Sequence, residues 1–325
     1  MLVLKKIKIT SYALIRIFII LTVFSSFASV LIGAKGFSLR DLIAREPMEV
    51  MLFLVSRLPR TLTIILTGIG LSVSGLVMQQ ITQNKFVSPT TAGTLEGSKL
   101  GILLSVILIP SAGMFVKSLF AFAFTFAVSL IFLKMVNKVR FRNVIFIPIV
   151  GLLFGGIINS VSTFFAVNFN IVQSMNTWLV GDFSGILQGR YELMYLTIPP
   201  VIATYFYANR FTAAGMGKDF SQNIGLNYNA VIFIGMLLIS ITVAVTTLTA
   251  GSITFVGLVA PNIISMMYGD HTRKTLPVVA LFGALLLLFC DVAGRLIIFP
   301  FEVPIGVTVG ITGGLVFLLL ILRKK

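Results

Sequence analysis

Long apolar runs recur along this chain, and they limit its fold more than any other feature. Ten lie between polar breaks, at residues 12–33, 60–81, 93–112, 114–134, 144–166, 191–208, 229–250, 253–268, 275–290 and 305–322. Most approach the roughly 20 residues that an α-helix needs to cross hydrocarbon. Backbone polar groups cannot stay unpaired in lipid, so these runs are helices or helix fragments. A barrel would instead show alternating strands of about ten residues. The third and fourth runs are joined tightly through Pro110, Ser111 and Gly113, and the short eighth contains Pro261. The expected fold is all-α, a polytopic membrane protein with one transmembrane domain over residues 1–325.

Composition closes the alternatives. Hydrophobic residues make up 57% and charged residues 11%, against about 45–50% and about 25% in soluble chains. Mean hydropathy is +1.05. No soluble interior hides that much apolar surface, so soluble enzymes, nucleic-acid binders and disordered chains are excluded. Lys5, Lys6 and Lys8 before the first run imitate a secretory signal. The run exceeds the usual core of about 7–15 residues and more spans follow, so a retained first helix is expected.

The net charge of +15 reads as membrane orientation rather than nucleic-acid binding. With a cytoplasmic N-terminus and ten alternating spans, 15 basic residues fall inside. They are Lys5, Lys6, Lys8, Lys85, Lys134, Lys138, Arg140, Arg142, Arg210, Lys218, Arg273, Lys274, Arg323, Lys324 and Lys325. Eight fall outside: Lys35, Arg40, Arg45, Arg57, Arg60, Lys117, Arg190 and Arg295. Arg16 and Lys99 are ambiguous. The bias places both termini in the cytoplasm. Residues 34–58, 167–190 and 291–304 are then outer connections, the second able to form a short interfacial helix around Trp178, and 209–228 is the longest inner loop.

Enzyme chemistry finds no footing. His271 is the only histidine and Cys290 the only cysteine, so no metal cluster can be assembled and no internal disulfide can form. His271 sits in a short basic loop as a solvated residue. No P-loop or GxGxxG occurs, so no nucleotide or other cofactor is expected on the chain itself. Charges buried in lipid would mark a proton or ion relay. Glu96, Lys99 and Asp291 are expected near helix ends, within reach of water, which counts against ion-coupled transport. Energy would then enter through a partner. Gly151 with Gly155, and Gly306 with Gly310, have the GxxxG spacing that serves ordinary helix packing or a dimer or pore seam. Gln79 and Gln80 end the second helix, and Asn159, Ser160, Ser162 and Thr163 run along the fifth. Such polar groups need partners, from a neighbouring helix or from water in a pathway.

Several motifs occur in a fixed order. Arg57-Leu58-Pro59-Arg60-Thr61-Leu62 opens a helix running through Gly75 to Gln79, and Asn84-Lys85-Phe86-Val87-Ser88-Pro89 and Gly93 follow. Later come Gly257-Leu258-Val259-Ala260-Pro261-Asn262, Leu276-Pro277, Asp291-Val292-Ala293-Gly294-Arg295 and Glu302-Val303-Pro304-Ile305-Gly306. Over nearly the whole chain this pattern resembles the FecCD-type permeases of ABC importers, which move iron–siderophore complexes, haem and vitamin B12. Residues 84–93 and 289–300 look most like the catecholate and petrobactin siderophore permeases of Bacillus type.

The resemblance implies the type II ABC importer permease fold in the cell membrane, with ten helices around a central pathway. It implies a dimer with a second permease, identical or related, two cytoplasmic ATPase subunits that use the ATP, and an extracytoplasmic siderophore-binding protein delivering ferric siderophore. It implies that 209–228 is the ATPase coupling loop, with Gly217, Asp219 and Gly225. Phe220-Ser221-Gln222 departs there from the acidic, alanine-containing stretch usual in the family. Asn84 and Phe86 match inner-gate positions, joined as pathway candidates by Gln79, Gln80, Asn159, Ser160 and Thr163. Arg57, Arg60 and Arg295 match the outer arginines that meet acids of the binding protein; membrane-interface anchoring is the simpler alternative for each. The rival functions are an ion-coupled secondary transporter, a membrane scaffold, and the same permease class carrying haem or a cobalamin.

Overall fold

A helix lies over each of the ten apolar runs. The computed structural model describes residues 11–33, 39–138 and 146–322, and no strand occurs among them. In chain order the helices are α1 (Ser11–Leu31), α2 (Leu39–Ile43), α3 (Pro47–Leu52), α4 (Leu58–Ile81), α5 (Thr94–Leu108), α6 (Met114–Lys138) and α7 (Phe146–Asn168). Then follow α8 (Val172–Leu179), α9 (Ile198–Gly215), α10 (Lys218–Asn223), α11 (Tyr228–Ala250), α12 (Val256–Tyr268), α13 (Thr272–Ile297) and α14 (Ile305–Leu322). Six segments are long and apolar enough to cross a membrane: Ala13–Leu31, Pro47–Ile81, Met114–Val136, Phe146–Asn168, Tyr228–Ala250 and Thr272–Ile297. Of the charge count, Lys5, Lys6, Lys8, Lys35, Arg140, Arg142, Arg323, Lys324 and Lys325 lie outside the described residues.

The helices overrun several of the apolar runs past the charges that bound them. Residues 39–58 are not an open connection. Pro47 starts α3, where its missing N–H costs nothing, and a π-helical turn over Phe53–Arg57 joins α3 to α4. The inner loop is likewise more structured than expected. The helix over the sixth run continues to Gly215, and Lys218–Asn223 forms α10. At the far end α13 continues to Ile297, so Asp291 and Arg295 sit inside a helix rather than in a loop. The short helix expected around Trp178 is α8; the Trp178 side chain lies outside the described residues.

Helix α4 is the axis of the body, packing against α13, α11, α12 and α9. Glycines set the closest approaches. A Cβ on Gly75 would lie 1.8 Å from the Gly257 carbonyl oxygen, and one on Gly68 would lie 2.5 Å from that of Gly283. Only residues without side chains let backbones meet this closely, which is how helices gain packing where lipid offers no hydrophobic drive. The GxxxG pair in α7 also serves packing, since a Cβ on Gly151 would stand 2.0 Å from the Thr91 carbonyl oxygen. Helix α1 lies at the periphery, with Ile20, Phe24 and Phe27 exposed. Helices α7, α13 and α14 likewise expose Phe164, Phe289 and Leu319. In water such surfaces would associate; in lipid they are solvated.

Candidate functional site

Polar chemistry gathers at the two ends of α4. At its N-terminal end Arg57 lies on the π turn and Arg60 on the first turn of the helix. Arg60 Nη2 is 2.8 Å from Asp291 Oδ1, and Arg60 Nη1 is 2.8 Å from Glu302 Oε2. Arg295, one helical turn beyond Asp291, pairs with Asp291 Oδ2. It also donates to the Ser29 carbonyl at 2.8 Å, to Ser29 Oγ at 2.7 Å and to the Ile32 carbonyl. Arg57 donates to the carbonyls of Val30 and Leu31. The last carbonyls of a helix have no intrahelical partner and carry its negative dipole end. Two arginines therefore cap α1, while two carboxylates share Arg60 and Arg295. Arg60 and Arg295 face Asp291 and Glu302, while Arg57 lies within the field of Glu49 and at the negative end of α1.

This arrangement corrects two expectations. Asp291 was expected to reach water near a helix end, yet its side chain is 1% exposed. Arg295 was expected to face an outer partner, yet it is 4% exposed and turned toward α1. The physical reason is pairing: an i,i+4 carboxylate and guanidinium neutralise each other on one helix face, so the helix carries both past the point where hydropathy alone would end it. Buried charge therefore exists in this protein. At Asp291 it is matched charge, held by two arginines.

The C-terminal end of α4 forms the second cluster. Gln79 is buried and Gln80 is half-buried. Asn84 is buried; its N–H donates to the Gln79 carbonyl at 3.0 Å, and its Oδ1 accepts from the Phe86 N–H at 2.9 Å. Asn84 thus shapes the turn that presents Phe86, whose ring lies edge-on to Phe317 of α14 at 5.8 Å. Gln80 Nε2 donates to the Asp270 carbonyl at 3.4 Å. A Cβ on Gly215 would stand 2.0 Å from Gln80 Oε1. The end of α4 therefore touches both the α12–α13 loop and the end of α9.

Helix α10 is set off by two glycines in the left-handed region, Gly217 at φ +112° and Gly225 at φ +78°. Ser221 Oγ ties it back to the Ala213 carbonyl at 3.0 Å. Asp219 is exposed in its first turn, and Met216, Phe220 and Ile224 are exposed nearby. The fifth-span candidates lie apart from these clusters. Asn159 and Ser160 are exposed on α7 and Thr163 is half-buried there. The hydroxyls of Ser160 and Thr163 bond to carbonyls one turn back, at 3.0 and 2.9 Å. No group of three or more histidine, cysteine or acidic residues able to hold a metal occurs among the described residues.

The sequence reading did not single out Ser29, Asp291 and Glu302 as arginine partners, or Asn262, Ser265 and Asp270 at the inner cluster. Only the Asp291–Arg295 spacing offered a signal. The other contacts join residues far apart in the chain.

An all-helical body of long apolar helices, with matched charge at one end and polar turns at the other, is that of a multi-pass integral membrane protein of the transport class. The profile of the FecCD transport family matches residues 20–323, and the chain belongs to this family. It is 46% identical over 311 residues to the petrobactin import system permease protein YclN of Bacillus subtilis (strain 168), covering 96% of this chain and 98% of that one. It is 47% identical over 270 residues to the ferric-anguibactin transport system permease protein FatD of Vibrio anguillarum, covering 83% and 86%. Among solved structures, a metal-chelate type ABC transporter in an inward-facing conformation aligns over 97% of this chain and 100% of its own. The TM-score is 0.79 at 22% identity, a likeness of fold.

Proposed function

We propose that this chain is the permease subunit of an ATP-driven importer of ferric siderophores. The observation that carries this reading is the end-to-end similarity to permeases named for petrobactin and anguibactin transport. Ten helices cross the membrane with both termini inside, and a second permease completes the pathway. Two cytoplasmic ATPase subunits dock on the exposed apolar residues around α10, and ATP is consumed there, not on this chain. A binding protein delivers the ferric siderophore at the opposite end. Arg57 and Arg60 lie toward the rim of the charge cluster and meet its acids, while Arg295 acts from below by holding Asp291. Asn159, Ser160 and Thr163 face the pathway, where an exposed amide avoids lipid. Gln79, Gln80, Asn84 and Phe86 form the inner closure.

The test is uptake. In cells lacking their petrobactin permease, this chain expressed with its ATPase and binding protein should restore entry of iron-55 as ferric petrobactin. Uptake of haem or cobalamin without ferric siderophore would move the substrate assignment to those cargoes. Gly225→Val should abolish uptake while normal amounts reach the membrane. A β-branched residue at φ +78° costs about 1–3 kcal/mol of local strain, and co-purification of the ATPase should fall with it. Undiminished uptake by Gly225→Val would take α10 out of the coupling mechanism.

Orientation has its own measurement. In a Cys290→Ala background, Ser184→Cys should react with an impermeant thiol reagent on intact cells, and Lys138→Cys only after permeabilisation. Reaction of Lys138→Cys from outside would reverse the topology.

A further inference from the structure

Lys85, immediately before Phe86, is gripped at both of its ends by one neighbouring segment. Its carbonyl accepts from Asn262 Nδ2 at 2.7 Å, and the same amide donates to the Leu258 carbonyl at 2.8 Å. Its ammonium is 2.9 Å from Asp270 Oδ1 and 2.9 Å from Ser265 Oγ. Ser265 Oγ in turn donates to Asp270 Oδ1. Asn262 and Ser265 lie nearly one turn apart on α12, and Asp270 follows in the α12–α13 loop, so a single rigid unit holds both the main chain and the side chain of Lys85. That unit is itself tied to the helix leading into α10. The Thr272 N–H donates to Thr212 Oγ1 of α9 at 3.0 Å.

We infer that Asn262, Ser265 and Asp270 form a clamp on Lys85 that fixes the turn carrying Phe86 at the inner gate, making these four positioning residues for gating. The inference rests on the reading of Phe86 as an inner-gate residue. Two properties suit the clamp to a switch. The amide contact is part-buried and held at 2.7 Å by a side chain that also bonds its own helix, so it sets register. The ion pair is about half-exposed, 43% and 54%, so it is weak and easily broken. Movement of α9 relative to α4 would reach the clamp through Thr212 and Thr272, and no long-range rearrangement is needed to release the turn.

Val87 is fully buried beside Phe86 and reports release of the turn. In inside-out vesicles from cells carrying the whole import system, with Cys290→Ala, Val87→Cys should react slowly with an impermeant maleimide. Adding Lys85→Met should raise the rate about threefold to fivefold, the ceiling for a half-exposed pair. Asn262→Leu, which removes a buried donor, should raise it about tenfold. The exchange Lys85→Asp with Asp270→Lys should bring the rate back toward that of the parent, a rescue that general loosening of the fold would not give. Should Asn262→Leu fail to insert, Ser265→Ala replaces it, with an expected rise of about twofold to threefold. Unchanged rates in Lys85→Met and in the α12 variant, or no rescue by the exchange, would overturn the clamp. Normal coupled uptake by Phe86→Ala would instead overturn the gate reading beneath it.

Discussion

Asp291→Ala should cut the amount of folded protein in the membrane at least tenfold. Asp291 is 1% exposed and pairs with two guanidinium groups, those of Arg60 and Arg295. Breaking a buried pair from one side leaves an uncompensated charge and costs about 3–5 kcal/mol. Whole-protein stability is only about 5–15 kcal/mol. Quantitative blots of membrane fractions and thermal melts in detergent would measure the loss. Glu302→Gln should be far milder, because Glu302 is 24% exposed and Arg60 keeps Asp291. Asp291→Ala combined with Arg295→Met should recover part of the deficit, since apolar replacement of a buried pair is often neutral or better. Recovery stays partial because Arg295 also caps α1. An Asp291→Ala protein melting within a degree of the parent would refute the buried network.

Gly75→Leu should prevent assembly of the helical body. Its Cβ alone would sit 1.8 Å from the Gly257 carbonyl oxygen. That obstacle is backbone, so no side-chain rotation relieves it, and α4 would have to leave α12. Overpacking of a fitted core by small additions costs about 1–3 kcal/mol, and a leucine at this contact exceeds that. Gly75→Ala should already lower the melting temperature measurably. Gly113→Ala is the matched control. Nothing lies within 4 Å of its added Cβ, and its melt should match the parent's. Equal melts for Gly75→Ala and Gly113→Ala would contradict the α4–α12 approach.

Most of the fold was legible because lipid asks a simple question of a sequence. A window of about 20 residues is apolar or it is not, and each apolar run is a helix. The errors share one cause. Hydropathy treats every charge as seeking water, so the run ending at Cys290 was cut before Asp291 and the second was opened at Arg60. In the structure Arg60 meets Asp291 across 231 positions, a partnership that no local window contains. The inner cluster was half-visible for the same reason. Asn84 and Phe86 stood out within a local motif, whereas the hold of Asn262 on Lys85 spans 177 positions. Gly225 was the exception, since its left-handed conformation depends on local backbone alone.

The capping of α1 bears on how the protein is made. Ser29 leaves the ribosome 266 residues before the arginine that occupies its carbonyl. At about 5–20 residues per second, that interval is roughly 13–53 s. Throughout it the carbonyls at the end of α1 have neither Arg295 nor, at first, Arg57, and they must stay in contact with headgroup water. The cap on α1 is therefore begun by Arg57 and completed only when α13, the second-to-last long helix, has been made.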